Sequence, residues 1–145
     1  MVETAAMDIA GAKVQVLLSS RETTGRYTIC QVEATGPVGA PLHMHRYEDG
    51  FFYILDGTFE FEVGGEIIPA PPGTSFFIRR EASYALRNVG PGRGRLLIAA
   101  HPGGMDLLFR DLATAQSNGS ASGLKTVGPI LEKHGIVISS DLSRD

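Results

Sequence analysis

Residues 13–101 are built from short runs rich in β-branched and aromatic residues. The clearest are KVQVLLSS, GRYTICQVEA, FFYILDGTFEFEV, TSFFIRR, YALRNV and GRLLIAAH. Clusters of Gly, Pro and Asp separate them: GPVGAP, DG, GG, PAPPG and GPGRG. Short apolar runs bounded by such breakers read as β-strands. In FEFEV the side chains alternate, so Phe59, Phe61 and Val63 share one face while Glu60 and Glu62 take the other. Asp56–Gly57, between two apolar runs, predicts a hairpin. The pattern as a whole predicts an all-β fold, a sandwich or a barrel.

Past residue 103 the period changes. MDLLFRDLATA sets Met105, Leu108, Phe109 and Leu112 on one helical stripe. QSNGSASG, residues 116–123, is small and polar and reads as a linker. VGPILEKHG predicts a second short helix, with Pro129 in its first turn and Gly135 at its C-terminal stop. IVIS is a last strand or an edge. A chain of 145 residues suits one core. The expected organisation is a single domain over 1–145, with a barrel over about 12–102 and a helical segment over about 104–135.

Composition narrows the function classes. A net charge of −3 leaves no basic footprint for nucleic acid. No apolar run approaches the ~18 residues that span a bilayer, so no membrane role is expected. The N-terminal stretch lacks a charged-then-apolar leader pattern, which sets a cytoplasmic expectation. Cys30 is the sole cysteine, which excludes an internal disulfide and suits a small buried apolar residue.

The chemistry starts at PLHMHRYEDG. Residues two apart in an extended segment point the same way, so His43 and His45 converge and Met44 points away. Converging imidazoles suit Zn, Fe, Ni, Cu or Mn. Two solvated loop histidines are the ordinary alternative.

These residues resemble the first cupin motif, G-x5-H-x-H-x3-4-E-x6-G. His43, His45 and Gly57 match it, and Pro37 stands at the first Gly with Gly36 beside it. Gly73 and Asn88 keep the spacing of the second motif, G-x5-P-x-G-x2-H-x3-N, around Arg79-Arg80-Glu81 and Tyr84. From TTGRYTICQVEA to EKHGI the chain resembles small single-domain cupins of the quercetinase-like group. That resemblance implies a jelly-roll β-barrel, a metal at the base of an apolar cavity, and a homodimer. Two departures stand out. The family's glutamate ligand falls on Gly50, and its last histidine ligand falls on Tyr84.

Two outcomes stay open: the metal has been lost, or other residues have moved in. If the strand starting near Gly50 pairs antiparallel with GRLLIAAH, His101 lands near the vacated glutamate position. Gly50 and His101 then read as one compensated change. The alternative for His101 is a strand-end residue facing solvent. His134, at a helix C-terminus, is explained by the helix dipole, or is a fourth nitrogen ligand if that helix folds over the barrel mouth. The expected metal set is His43, His45, His101 and His134 around Zn²⁺, with Fe²⁺, Ni²⁺, Mn²⁺ and Cu as alternatives. Glu48 and Asp49 read as an acidic loop facing water. Tyr84 reads as the catalytic group, hydrogen bonding or exchanging a proton beside the metal.

Period-two reasoning turns Phe52 and Ile54 inward with Gly50, groups Leu97 and Ala99 with His101, and groups Leu86 with Tyr84. The expected substrate pocket is Phe52, Ile54, Phe61, Leu86 and Leu97. Such a wall suits a small hydrophobic substrate, flat and aromatic or polyketide-like. No Gly-rich stretch has phosphate-cradling spacing. In size and altered ligand pattern the chain resembles the cupin polyketide cyclases of aromatic polyketide antibiotic pathways. That implies a zinc-dependent cyclisation and dehydration of a poly-β-ketone, the metal polarising a carbonyl or a water. A quercetinase-like dioxygenase using Fe, Ni, Mn or Cu, and a metal-free binding cupin, are the alternatives.

Overall fold

A computed structural model describes residues 6–117 and 124–138. Among them the strands are β1 (Ala6–Ile9), β2 (Ala12–Leu18), β3 (Thr28–Thr35), β4 (Gly39–His45), β5 (Asp49–Asp56), β6 (Phe59–Val63), β7 (Glu66–Ala70), β8 (Ser75–Ile78), β9 (Tyr84–Asn88) and β10 (Arg93–His101). Helices α1 (Met105–Ser117) and α2 (Leu124–Lys133) follow, and then β11 (Ile136–Ile138). The strands form two antiparallel sheets, ordered β1-β2-β3-β10-β5-β8 and β11-β4-β9-β6-β7. This is the all-β sandwich or barrel that the strand pattern predicts, in the jelly-roll form that the motif resemblance implies. No helix among the described residues is long and apolar enough to cross a membrane.

The alternating runs become strands with one buried face. Phe52 and Ile54 of β5, Phe59 and Phe61 of β6, and Leu96, Ile98 and Ala100 of β10 fill the space between the sheets. Phe61 stacks on Phe76 at 4.3 Å and meets Phe52 edge-on at 5.3 Å.

Three local expectations need correction. Asp56–Gly57 does not close a hairpin, because β5 and β6 lie in different sheets. Gly57 instead lets the chain cross between them: it has a φ of 77°, and a Cβ there would lie 2.7 Å from the Gly94 Cα. Helix α2 begins before residue 127 and carries Pro129 in its interior rather than in its first turn. The linker predicted over 116–123 begins inside α1, since Gln116 and Ser117 are helical; residues 118–123 lie outside the described residues. Gly135 does terminate α2, with a φ of 77°. Ile136–Ile138 of the predicted last strand form β11, which pairs with β4.

Asn88, the motif residue at the end of β9, is almost fully buried. Its Nδ2 donates to the carbonyls of Ala34, Gly36 and Gly92, and its Oδ1 accepts from Gly90 N. One side chain thereby pins the β3–β4 crossing to the β9–β10 turn.

Candidate active site

Strand β4 runs between β11 and β9. In that ladder His43 lies across from Ile138 on one side and Tyr84 on the other, and His45 lies across from Ile136. Both imidazoles point inward and are buried. Their ring centroids are 5.0 Å apart, and Tyr84 sits 4.5 Å from His43 and 6.1 Å from His45. The convergence expected from the His-Met-His spacing is therefore present, with Tyr84 beside it.

Each imidazole is anchored through the same nitrogen. His43 Nδ1 lies 2.6 Å from the Pro41 carbonyl, and His45 Nδ1 lies 3.3 Å from Glu48 Oε1. A carbonyl and a carboxylate only accept, so each Nδ1 carries the hydrogen. In the neutral rings both Nε2 atoms then hold a free lone pair. Burial, with the neighbouring His45 adding to it, pushes the His43 pKa down to about 4, against the opposing bond to Pro41. His43 is therefore a neutral acceptor near pH 7. Burial, helped by the Glu48 charge, raises the Tyr84 pKa above its ordinary value, so its phenol stays protonated as a donor.

Glu48 is the residue that the sequence reading places wrongly. Its side chain is only 12% exposed and turns back onto His45 instead of facing water. Residue 48 sits in the turn before β5, where period-two reasoning does not apply. A carboxylate three residues after an inward histidine is the signal that could have found it. Asp49 does face outward, where Arg80 holds it through paired hydrogen bonds that also lower its pKa.

The other two histidines are elsewhere. Strands β5 and β10 do pair antiparallel, but Ala100 lies across from Gly50 and His101 lies across from Asp49. A one-residue offset flips the face. His101 is exposed, and its Nδ1 donates to the Arg26 carbonyl at 2.7 Å. The space at Gly50 is covered by the Phe52 ring, 3.2 Å from where a Cβ would be. His134 caps the end of α2 and bonds Asp111 of α1 through Nε2 at 2.7 Å. Asp111, with Lys133 also on it, is held below the usual carboxylate range.

Zinc sites use three or four protein donors. Among the described residues no group of three or more His, Cys, Asp or Glu side chains is placed to hold one ion. The four-histidine set does not fit; His43 and His45 supply half of it.

The pocket expectation is also redrawn. A cavity of about 390 Å³ lies between the sheets, under α1 and α2. His43, His45 and Tyr84 line it, as does Leu86 of the expected set. Phe52 instead borders a small recess shared with His45, Glu48 and Tyr84. Ile54 and Phe61 are solid core, and Leu97 lies on the outward-alternating face of β10. The missed walls come from elements outside the central barrel pattern: Ile9 of β1, Leu108 and Leu112 of α1, Leu131 of α2 and Ile138 of β11.

Residues 31–100 match the family described as Cupin domain. The fold is that of a cupin. Among solved structures, KdgF from Halomonas sp. aligns with a TM-score of 0.63 at 19% identity, over 71% of this chain and 90% of that one. An RmlC-like cupin from Shewanella frigidimarina gives 0.62 at 24% identity, over 72% and 88%. The polyketide cyclase RemF from Streptomyces resistomycificus gives 0.56 at 20% identity, over 70% of each chain. No curated protein matches the chain.

Proposed function

We propose that this cupin is an enzyme that moves protons on a neutral, largely apolar substrate carrying carbonyl groups, in a cyclisation or dehydration of the kind a poly-β-ketone undergoes. The observation that carries the reading is the His45–Glu48 pair beside the protonated Tyr84 at one end of an apolar cavity. His45 Nε2 takes a proton from the carbon next to a carbonyl. Glu48, on Nδ1, stabilises the imidazolium that forms. Tyr84 keeps its proton and donates a hydrogen bond to the carbonyl oxygen as negative charge grows there. His43 stays neutral and accepts a hydrogen bond from a substrate hydroxyl or enol. The enolate attacks a second carbonyl and closes a ring, and His45 returns its proton to the alkoxide formed there. Taking a second proton from the same α-carbon and passing it to the departing hydroxide then releases water and leaves a C=C bond. RemF shares only the fold at this level of identity, so the reading rests on the side chains.

A divalent metal on His43 and His45 is the second reading. One observation favours it: both rings are oriented through Nδ1, the support that metal-binding imidazoles commonly have. Two protein donors leave the remaining positions to ligand or solvent.

The test is exchange of the α-hydrogens of 2-tetralone in D₂O, followed by NMR, with chelator-treated and metal-supplemented protein. Acceleration over buffer that falls at least tenfold in His45→Asn supports proton transfer. Equal rates for wild type, His45→Asn and buffer overturn it. Acceleration that appears only after metal is added supports the second reading.

A further inference from the structure

The cavity has a direction. Strand β4 lines it from Gly39 to His45, six steps of ~3.3 Å or about 20 Å. Helix α1 lines it from Met105, which also borders the recess holding Glu48, to Gln116, a rise of about 16 Å. The Gln116 end and the Gly39 end coincide. Gln116 Oε1 accepts from Ala10 N at 2.8 Å, and a Cβ placed on the adjoining Gly11 would lie 3.2 Å from the side chain of Val38, next to Gly39. The histidines and Gln116 thus stand at opposite ends of one elongated chamber.

Its width follows from its volume. A cavity of ~150 Å³ takes one benzene ring, so about 390 Å³ takes between two and three. Strung along about 16 Å, they fit only in single file. No Asp, Glu, Lys or Arg lines the chamber among the described residues. An ionised group inside would be buried without a partner, which is costly. At the far end the backbone N–H of Ala10 fixes which side of the Gln116 amide is the oxygen, and the NH₂ group is left as a donor.

We infer that the chamber is a length gauge for neutral, unbranched molecules with an oxygen at each end, one read by the His43–His45–Tyr84 cluster and the other by the Gln116 amide. Gln116 is then a specificity-determining residue. The inference rests on the proposed reading of the histidine end only for where the first oxygen docks, and it needs no turnover.

Calorimetric titration of straight-chain 1-alkanols, α,ω-diols and fatty acids tests it. Affinity should rise about threefold to fourfold per methylene and then break near the chamber length. At the break the diol should bind about fivefold better than the matched alkanol, the size of one hydrogen bond. The matched fatty acid should bind at least tenfold more weakly. In Gln116→Leu the diol advantage should vanish while the break stays. Because that substitution also drops the bond to Ala10, Gln116→Glu is the second variant. It keeps an acceptor for Ala10 N but removes the NH₂, and should lose the advantage too. A smooth series without a break, a diol advantage that survives both variants, or a fatty acid that binds as well as the diol each overturn the gauge. A clear break with no α-hydrogen exchange leaves the gauge standing and removes the proton-transfer reading instead.

Discussion

His45 and Glu48 face each other across 3.3 Å at side-chain exposures of 9% and 12%. A carboxylate so withdrawn from water has few ways to be satisfied, and the imidazole Nδ1–H is one of them. His45 and Tyr84 line the cavity while Glu48 backs His45 from the adjoining recess, which turns a structural contact into a candidate base with a fixed tautomer.

Glu48→Gln keeps an acceptor for His45 Nδ1 but removes the charge. The exchange rate on a neutral ketone should fall by about tenfold to a hundredfold, within the range expected for acid–base groups. Thermal unfolding should show a change of about 1 kcal/mol or less. A full rate with an unchanged melting curve would mean that Glu48 only fills space.

The depressed pKa of His43 makes folding pH-dependent. Its folded value of about 4 lies below the ~6.5 of an unfolded histidine. Between those values the unfolded chain binds a proton that the native protein does not. The stabilisation is therefore complete above about pH 6.5 and is lost as pH falls toward about 4, a difference on the order of 3 kcal/mol. Urea unfolding of wild type and His43→Gln at pH 7, 5.5 and 4 checks this. The variant should lose that part of the slope, and parallel curves would show that His43 is not the group responsible.

His101→Ala and His134→Ala should leave ligand affinity, and any metal affinity of the His43–His45 pair, within about twofold. Neither side chain reaches the cavity. His134→Ala should also cost up to about 1 kcal/mol, sensitive to salt, because its pair with Asp111 is partly exposed. A large loss of metal or ligand in either variant would place it in the site after all.

Asn88→Asp exchanges a buried NH₂ for a carboxylate facing the carbonyls of Ala34, Gly36 and Gly92. Destabilisation of about 3 kcal/mol or more is expected, read as a drop in melting temperature with no direct effect on the cavity.

The strands were legible because alternation such as Phe59-Glu60-Phe61-Glu62 has no other good solution than a half-buried sheet. His43 and His45 were legible for the same reason. What failed was information that the period does not carry. A single step of register decides whether Ala100 or His101 faces Gly50, and apolar alternation in LLIAAH tolerates either choice. Asp56–Gly57 marks a turn without saying which sheet the chain enters next. Glu48 lies in a turn, where direction depends on the finished surroundings. The cavity walls that were missed come from β1, α1, α2 and β11, elements far from the histidines in sequence, so only tertiary packing brings them to the site.

Every reading of the site depends on two imidazoles that bind their supports through Nδ1 and leave Nε2 bare. Nitrogen NMR of histidine-labelled protein at pH 8, with His43→Gln and His45→Asn for assignment, reads this directly. Both rings should appear as the neutral tautomer with hydrogen on Nδ1 and an unprotonated Nε2. Hydrogen found on Nε2 of either ring would take away its lone pair, and with it that ring's part as proton acceptor or metal donor.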